Sequence, residues 1–328
     1  MEAFNLILGI LLLSLTFYDF FYTALSGGGA GFITKFIAGS GHKLLYFGAK
    51  ITGRKIYSLS GMVVNLAVLA TWVILIWLGL HLVFSFDPDA IVNDNGRPAD
   101  TWERLYFTGY VLSTLGLGNF KPVTPAFEML TSIFSFFGFV FFTSSMTYLI
   151  SVSSGVIHKR SLALSIRHMG KTPEEMVYRL LNQDEFLSRL KLSSLQEKIE
   201  RHCTNLQAYP VLHYFSNPEK NDSINLNITA LDETISILFY SKEGEKLKNT
   251  ITPLRASLTY YLKHVEQNFS RSLQKQEGPD VHKLPGWDII SSSFVSDPEL
   301  FHRRKILGGL LKKENLKWQD VYRIKTST

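Results

Sequence analysis

The sequence contains little cysteine and little charge for its length. Of its 328 residues, Cys203 is the only cysteine and 19% of the residues are charged. A single cysteine excludes an intrachain disulfide framework and a metal site of the CxxC type. The sequence also lacks a GxGxxG fingerprint after a predicted strand, and it shows no compact arrangement of serine, histidine and aspartate. We therefore expect neither an enzyme nor an organic cofactor.

The charges are unevenly distributed along the chain. Residues 1–157 contain eight lysine or arginine and eight aspartate or glutamate residues, whereas residues 158–328 contain 26 and 20. The formal net charge of +6 therefore belongs to the second half, and the first half is neutral and apolar. A net positive charge often indicates a nucleic-acid partner, but this segregation predicts a membrane part followed by a soluble part. We expect no nucleic-acid partner.

Three apolar runs are long enough to cross a bilayer, whose core requires about 20 helical residues. They cover Phe4–Leu25, Gly61–Phe86 and Pro125–Ile157. The first run follows no basic segment and contains no small-residue cleavage site, which favours a retained helix over a signal peptide. Asp19 is the one charged residue of this run, and we expect it at the cytoplasmic membrane interface rather than against other protein.

Loop charges predict the orientation of these helices. The connection at 26–60 contains five basic residues and no acidic residue, and the stretch after the third run also begins with basic residues. The connection at 87–104 contains five acidic residues and two arginines. Because basic loops face the cytoplasm, we expect a plasma-membrane protein with its N-terminus outside and its C-terminus in the cytoplasm. The segment Phe32–Tyr57 is expected along the inner lipid surface, with a plain connecting loop as the alternative.

The segment between the second and third runs carries the most informative pattern. Trp102–Ser113 has the length of a short helix, is largely apolar and cannot cross the bilayer, so it must be re-entrant or buried. It is followed directly by Thr114, Leu115, Gly116, Leu117, Gly118 and Asn119. A row of carbonyl groups can face one axis only if alternate residues adopt unusual conformations such as a positive φ, which glycine permits. Such a row can replace the hydration shell of a cation. A tight extracellular turn at the two glycines is the alternative.

The order of these parts resembles a known architecture. A span, an acidic loop, a short helix, the motif TLGLGN and a long inner helix look like the pore module of the potassium channel superfamily, as in two-pore-domain and prokaryotic potassium channels. The resemblance covers about Gly61–Ile157, and the chain has one extra N-terminal span. It implies that Thr114–Gly118 form the selectivity filter and bind permeant K⁺, with Asn119 at the outer mouth. Because four loops build such a filter and the chain has one, it also implies a homotetramer.

The sequence departs from the usual pattern of that family at three positions. Leu117 stands where tyrosine is usual, Leu115 where valine is usual, and Asn119 where aspartate is usual. The tyrosine hydroxyl that braces the filter in many members is therefore missing. A weakly selective cation channel on the same scaffold remains an alternative to a potassium-selective channel. A non-conducting membrane receptor or scaffold is a second alternative.

The third run contains the predicted gating positions. Gly138 occupies the place where that family commonly has a glycine hinge, and close packing between helices is the alternative. Phe139, Phe142, Met146 and Ile150 recur at helical spacing. They are predicted to line a hydrophobic constriction, with contact to neighbouring helices or lipid as the alternative. The spans carry no repeated arginine, so we expect no voltage sensor.

The second half of the chain is predicted to be helical. Helix starts are indicated at Thr172-Pro173, at Thr252-Pro253 with an end near Lys275, and at Asp297-Pro298. Helical spacing of apolar residues also covers Asn227–Tyr240. The basic clusters at 303–305 and 312–313 are interpreted as solvated helix faces or contacts to the inner leaflet, and most histidines as surface residues.

The predicted fold class is an all-α membrane protein with three transmembrane helices, a re-entrant pore helix, a filter loop and a C-terminal helical cytoplasmic domain. The predicted domains are an N-terminal helix with a basic linker at 1–60, a pore domain at 61–157 and a regulatory or assembly domain at 158–328. The last domain is expected to respond to an unidentified cytoplasmic regulator.

Overall fold

The computed structural model describes residues 2–41, 55–269 and 297–323. It divides the chain into two compact units. The membrane unit comprises Met1–Leu44, Met62–Ser153 and Gln207–Val211, and the C-terminal unit comprises Leu45–Gly61, Ser154–Leu206 and Leu212–Thr328. The described residues are mostly helical, with a single two-stranded sheet among them. This confirms the all-α fold class.

Three helices are long and apolar enough to cross a membrane. They are α1 (Glu2–Ala24), α3 (Lys55–Phe84) and α5 (Pro125–Met169), and they confirm the three predicted spans. α5 continues well beyond the predicted end at Ile157, because charged residues do not interrupt a helix and it ends only before Gly170.

A short helix, α2, covers residues 32–41 between the first two spans. It follows a turn in which Gly27 and Gly29 have positive φ angles, a conformation that glycine adopts at low cost. Ile37 of α2 packs against the core of the membrane unit, whereas Phe32 and Phe36 are exposed. The rest of the segment predicted at the lipid surface, up to residue 54, lies outside the described residues.

The core of the membrane unit is shared by all of its long helices. α1 contributes Phe20, whose ring lies 5.2 Å from that of Trp72 in α3 and 4.6 Å from that of Phe141 in α5. All three side chains are fully buried, and each aromatic pair of this kind adds about 1 kcal/mol to the burial of its apolar area. The additional first span is therefore packed as an integral part of the membrane unit.

A small antiparallel sheet closes the segment between the second and third spans. Strand β1 (Ile91–Asn93) pairs with strand β2 (Phe120–Pro122), with Val92 opposite Lys121. Helix α4 (Thr101–Leu112) and the TLGLGN motif lie between the two strands in sequence. The sheet thus brings together the two ends of the segment that carries the motif.

The C-terminal unit consists of six further helices among the described residues. They are α6 (Pro173–Asn182), α7 (Glu185–Ala208), α8 (Ile224–Tyr240), α9 (Lys248–Phe269), α10 (Pro298–Lys313) and α11 (Trp318–Tyr322). Short 3₁₀ helices cover Lys220–Asp222 and Glu243–Leu247. Another 3₁₀ helix covers Pro210–Tyr214, across the boundary of the units in sequence.

Two of the predicted helix starts in this unit are confirmed and one is wrong. Thr172 and Asp297 accept hydrogen bonds from the backbone N–H groups of Glu175 (3.3 Å) and Glu299 (2.8 Å) at the starts of α6 and α10. Pro253, by contrast, lies inside α9, because the preceding 3₁₀ helix runs directly into that helix at Lys248. The predicted end of α9 near Lys275 lies outside the described residues. α7 was not among the predicted helices.

Helix α8 lies at the centre of the C-terminal unit. Every residue from Ile224 to Leu238 is buried, and the helix contacts α6, α9, α10 and α11. Two of these buried residues are the carboxylates Asp232 and Glu233. A buried carboxylate is tolerated only when it is paired and hydrogen-bonded, so α8 requires cationic partners from another element.

Arginines of α10 supply those partners. Arg303 forms an ion pair with Asp232, and Arg304 donates to Glu233 at 2.9 and 2.7 Å. Burial alone would lower the pKa of Arg304, but the adjacent Glu233 outweighs it and raises that pKa. The prediction that the cluster at 303–305 is a solvated face is therefore wrong for Arg303 and Arg304. A run of basic residues does not reveal an acidic partner 71 positions away.

Candidate functional site

Helix α4 begins with a capping box on the acidic loop. The side chain of Asp100 accepts from Glu103 N at 2.8 Å, and that of Glu103 accepts from Asp100 N at 2.8 Å. Arg97 donates to Glu103 at 2.5 Å, and this contact lowers the pKa of the Glu103 carboxyl. The box fixes the first residue of the helix, and the predicted helix Trp102–Ser113 is confirmed to within one residue at each end.

Helix α4 is also anchored along its length. Trp77 of α3 donates its Nε1–H to the carbonyl of Leu105 at 2.9 Å. Gly109 lies so close to the Trp77 ring that an added Cβ would meet it at 3.2 Å. On the other side, the buried Arg104 donates to the carbonyls of Pro88 and Ala99 at 3.1 and 2.9 Å. α4 is thus held as a rigid support for the residues that follow it.

The end of α4 places a strained residue at the start of the TLGLGN motif. Leu115 N–H donates to Tyr110 O and Thr114 N–H donates to Val111 O, the bond pattern of a Schellman motif. In that motif the residue after the C-cap is left-handed and usually glycine, but here it is Thr114, with φ 59°. A left-handed conformation is unusual for a β-branched residue. Such strain persists where the surrounding structure imposes it, commonly at functional sites.

The left-handed conformation recurs at every second residue of the motif. Thr114, Gly116 and Gly118 have φ angles of 59°, 60° and 79°, whereas Leu115 and Leu117 have negative φ. This alternation meets the backbone requirement for a row of carbonyl groups that face one axis. The two glycines of the motif therefore occupy positions with a positive φ, which glycine adopts at low cost because it has no Cβ.

The motif is exposed on the single chain. The side chains of Leu115 and Leu117 are 62% and 53% exposed, and added Cβ atoms at Gly116 and Gly118 would meet nothing within 4 Å. Within the described part of the chain, no hydrogen bond restrains residues 116–119. A backbone with unpaired polar groups requires water, ions or other protein as its surroundings.

Tyr110 braces the far end of the motif, a contact that the sequence did not reveal. Its hydroxyl donates to the carbonyl of Phe120, the residue directly after Asn119, and its ring contacts that of Tyr106. The only local signal was a tyrosine on an otherwise apolar helix face. The phenol thus ties the strand that leaves the motif to the helix that leads into it.

Gly138 brings the inner helix α5 against the end of α4. It is buried, and an added Cβ would overlap the carbonyl oxygen of Leu112. This contact gives Gly138 a packing role that requires no bending of the helix. A hinge at Gly138 stays a prediction.

One face of α5 is exposed and apolar. Phe139, Phe142, Met146 and Ile150 are all exposed on it. The opposite face, which includes Phe141, Ser145, Tyr148 and Val152, is buried within the chain. The predicted constriction residues therefore share the face that the single chain leaves uncovered, where a pore, another chain or lipid can lie.

Asp19 does not lie at the membrane interface alone, as predicted, but is buried against protein. It is 2% exposed, and its carboxylate accepts from Trp72 Nε1 at 2.9 Å, Ile33 N at 2.8 Å and Thr34 Oγ1 at 2.6 Å. The carboxylate thereby caps α2 and joins α1, α2 and α3. The sequence did not reveal these contacts, because the donors are distant in sequence and a charge in an apolar run does not indicate them. A position of Asp19 near the cytoplasmic interface stays a prediction.

Comparison with known proteins agrees with this arrangement. Residues 67–154 match the protein family described as ion channel. Over 326 residues the chain is 30% identical to the uncharacterized membrane protein YdjJ of Bacillus subtilis (strain 168). The alignment covers 95% of this chain and 94% of YdjJ. No solved structure gives a significant match. Together with the three spans and the helix and loop between the last two, these matches show that the chain is an integral membrane protein of the pore-loop cation channel family.

Proposed function

We propose that the protein is a homotetrameric potassium channel that conducts dehydrated K⁺ passively through the backbone carbonyl groups of Thr114–Gly118. The alternating left-handed conformation at Thr114, Gly116 and Gly118 carries the proposal. It follows the end of a helix too short to cross the bilayer, so the negative end of that helix's dipole favours a cation near Ser113. The Thr114 hydroxyl adds an oxygen at the inner end of the row.

The exposure of the motif supports assembly of several chains. Irregular backbone at membrane depth is tolerated only where protein or a water-filled path covers it. The single chain leaves both residues 115–118 and the apolar face of α5 uncovered. Four chains around one axis would cover both and would place Phe142, Met146 and Ile150 toward the axis below the filter.

The acidic loop supports conduction of cations. Residues 87–104 carry five acidic residues and two arginines, a net charge of −3 in each chain and −12 in four. Arg104 is buried, whereas Asp89, Asp94 and Asp100 are exposed. These carboxylates would raise the local cation concentration within about 10 Å of the outer mouth. By the loop charges, that mouth faces outward and the C-terminal unit faces the cytoplasm.

One observation favours weaker selectivity as a second candidate function. Within the described residues, Tyr110 braces the carbonyl of Phe120, but no side chain holds Leu117 or Asn119 in place. A filter whose carbonyls can move adapts to ions of different size, so a non-selective cation channel on the same scaffold is the competing function.

Ion flux into liposomes that contain the full chain tests the proposal. Gly116→Ala and Gly118→Ala each add a side chain at a positive φ in all four filter strands. Because the left-handed conformation costs an alanine about 1–2 kcal/mol, we expect K⁺ flux to fall at least about tenfold. Gly27→Ala is the matched control, since Gly27 has φ 63° and equally open surroundings but lies outside the filter.

The outcomes separate the candidate functions. Flux that persists in both filter variants, or is absent from the unaltered protein, would instead favour a non-conducting receptor or scaffold. Reversal potentials measured with K⁺ and Na⁺ on opposite sides of a planar bilayer decide selectivity, and equal permeability would contradict a potassium-selective channel. Mass photometry of the purified protein should give four chains per particle.

A further inference from the structure

The C-terminal unit contains a cavity between the end of α5 and the middle of α7. Its volume is about 370 Å³, within the range of small-molecule sites. Met169 and Leu195 form an apolar part of the wall, and Ser165, Ser194 and His168 contribute polar groups. Two lysines of α7, Lys191 and Lys198, and the neighbouring Leu190 complete the lining. Among the residues that the structure describes, no carboxylate lines the cavity.

Both lysine amines are held in place by neutral groups. Lys198 Nζ donates to Ser165 Oγ at 2.7 Å, and that hydroxyl in turn donates to the carbonyl of Ser161 at 2.8 Å. Lys191 Nζ donates to Gln183 Oε1 at 2.7 Å. Each of these bonds uses one of the three N–H groups of an ammonium. Both amines therefore keep donors for a ligand.

Two arginines near the cavity, by contrast, are neutralised. Arg189, in the same helix, pairs with Glu185 at 2.6 Å, and Arg179 of α6 pairs with Glu175 at 2.5 Å. Among the described residues, neither Lys191 nor Lys198 forms an ion pair. Two uncompensated positive charges on the wall of a concave site attract an anion, and lysine is a common phosphate ligand.

We propose that this cavity binds a phosphate group, with Lys191 and Lys198 as its charged ligands and Ser194 and His168 as further hydrogen-bonding groups. The phosphate can come from a soluble phosphate ester or from the headgroup of an anionic phospholipid. The exposed Leu190 at the rim leaves room for an apolar tail. Because α5 and α7 both line the site, an occupant bridges these two helices within the C-terminal unit. The site does not depend on whether the protein conducts ions.

Binding is measured on the full chain in a non-ionic detergent and phosphate-free buffer. A ligand that binds only the folded state raises the melting temperature, and above the Kd this rise grows with the logarithm of the ligand concentration. The fluorescence of the five tryptophans reports the melting temperature. One arm titrates sodium pyrophosphate against sodium chloride of equal ionic strength. The other titrates dihexanoyl phosphatidylglycerol against dihexanoyl phosphatidylcholine, which has the same chains but no net charge.

We expect the melting temperature to rise with the concentration of at least one of the two probes, beyond the change that its control produces. The apparent Kd should weaken at least about tenfold in Lys191→Gln/Lys198→Gln, since each lysine supplies a charge-assisted hydrogen bond. Lys263→Gln is the matched control, because Lys263 is an exposed lysine of the same unit outside the cavity. If the double variant does not fold, Lys191→Gln alone is used. Lys191 is exposed, so this single variant should fold, and it should still weaken binding.

The two arms also identify the source of the phosphate. A response to pyrophosphate indicates a soluble phosphate compound, and a response to phosphatidylglycerol alone indicates a lipid headgroup. The proposal is overturned if neither probe exceeds its control, or if the lysine variants respond as the unaltered protein does.

Discussion

Gly138 of the inner helix lies directly against the carbonyl oxygen of Leu112, the last residue of the pore helix. Any side chain at position 138 would have to displace the backbone that leads into the TLGLGN motif. This contact therefore couples the position of the inner helix to that of the motif.

We expect Gly138→Ala to destabilise the protein, because the added Cβ overlaps backbone that cannot rotate away. Overpacking of this kind costs about 1–3 kcal/mol, which a lower melting temperature of the purified protein should show. Gly39→Ala is the matched control, since Gly39 is also helical and an added Cβ there meets nothing within 4 Å. An unchanged melting temperature together with a reduced open probability would instead assign Gly138 to a hinge.

We expect Asp19→Asn to loosen the first span. The asparagine amide keeps one acceptor oxygen, but an NH₂ group replaces the other. If that NH₂ group faces Thr34 and Trp72, their donor groups lose their acceptor. At least one buried donor is left without a partner in either orientation of the amide. An unsatisfied buried donor costs about 1–3 kcal/mol, and the melting temperature should fall accordingly. Tyr18→Phe, at an exposed neighbouring position, should have no effect. A melting temperature like that of the unaltered protein would mean that water satisfies the Asp19 carboxylate.

We expect Arg303→Met to be strongly destabilising, because it leaves the Asp232 carboxylate buried without its counter-charge. Breaking a buried pair from one side costs about 3–5 kcal/mol. Arg303→Met combined with Asp232→Leu should recover much of that loss in chemical denaturation of the full chain. Lys305→Met removes an exposed charge from the same helix and should be neutral. If the single and double variants are equally unstable, the ion pair is not the cause.

We expect stability to fall as the pH drops below 6.5, because of His202. This imidazole is buried against Tyr261, and burial, then the charges of Lys159 and His264, lower its pKa to about 3. The unfolded chain therefore takes up a proton between pH 6.5 and 3 that the folded chain does not. This favours unfolding by up to about 1.4 kcal/mol per pH unit in that window.

The His202 contribution is measured as the difference in melting temperature between pH 7.5 and 5.5. His202→Gln should make that difference smaller than it is in the unaltered protein. An equal pH dependence in the His202 variant and the unaltered protein would contradict the assignment.

The parts of the fold that depend on local chemistry could be predicted from the sequence. Apolar length was sufficient for the three spans, and a capping residue followed by proline was sufficient for the starts of α6 and α10. The conformations of Gly116 and Gly118 were also predictable, because only glycine adopts a positive φ at low cost. Thr114 has the same left-handed conformation, although that conformation is unusual for a β-branched residue.

The parts that depend on partners distant in sequence could not be predicted. Asp19 and Trp72 are 53 positions apart, and Arg304 and Glu233 are 71 positions apart. A carboxylate or a guanidinium has the same local pattern whether water or a buried counter-charge surrounds it. The brace from Tyr110 to Phe120 escaped for another reason, since a phenol on an apolar helix does not indicate which carbonyl it meets.

The two ion pairs of α8 also constrain the order in which the chain folds during translation. Asp232 and Glu233 leave the ribosome about 70 residues before the arginines that neutralise them. Until those arginines emerge, burying α8 would place two unpaired carboxylates in an apolar interior. The C-terminal unit therefore completes its core only after residues 303 and 304 have been synthesised, when the three membrane spans have already left the ribosome.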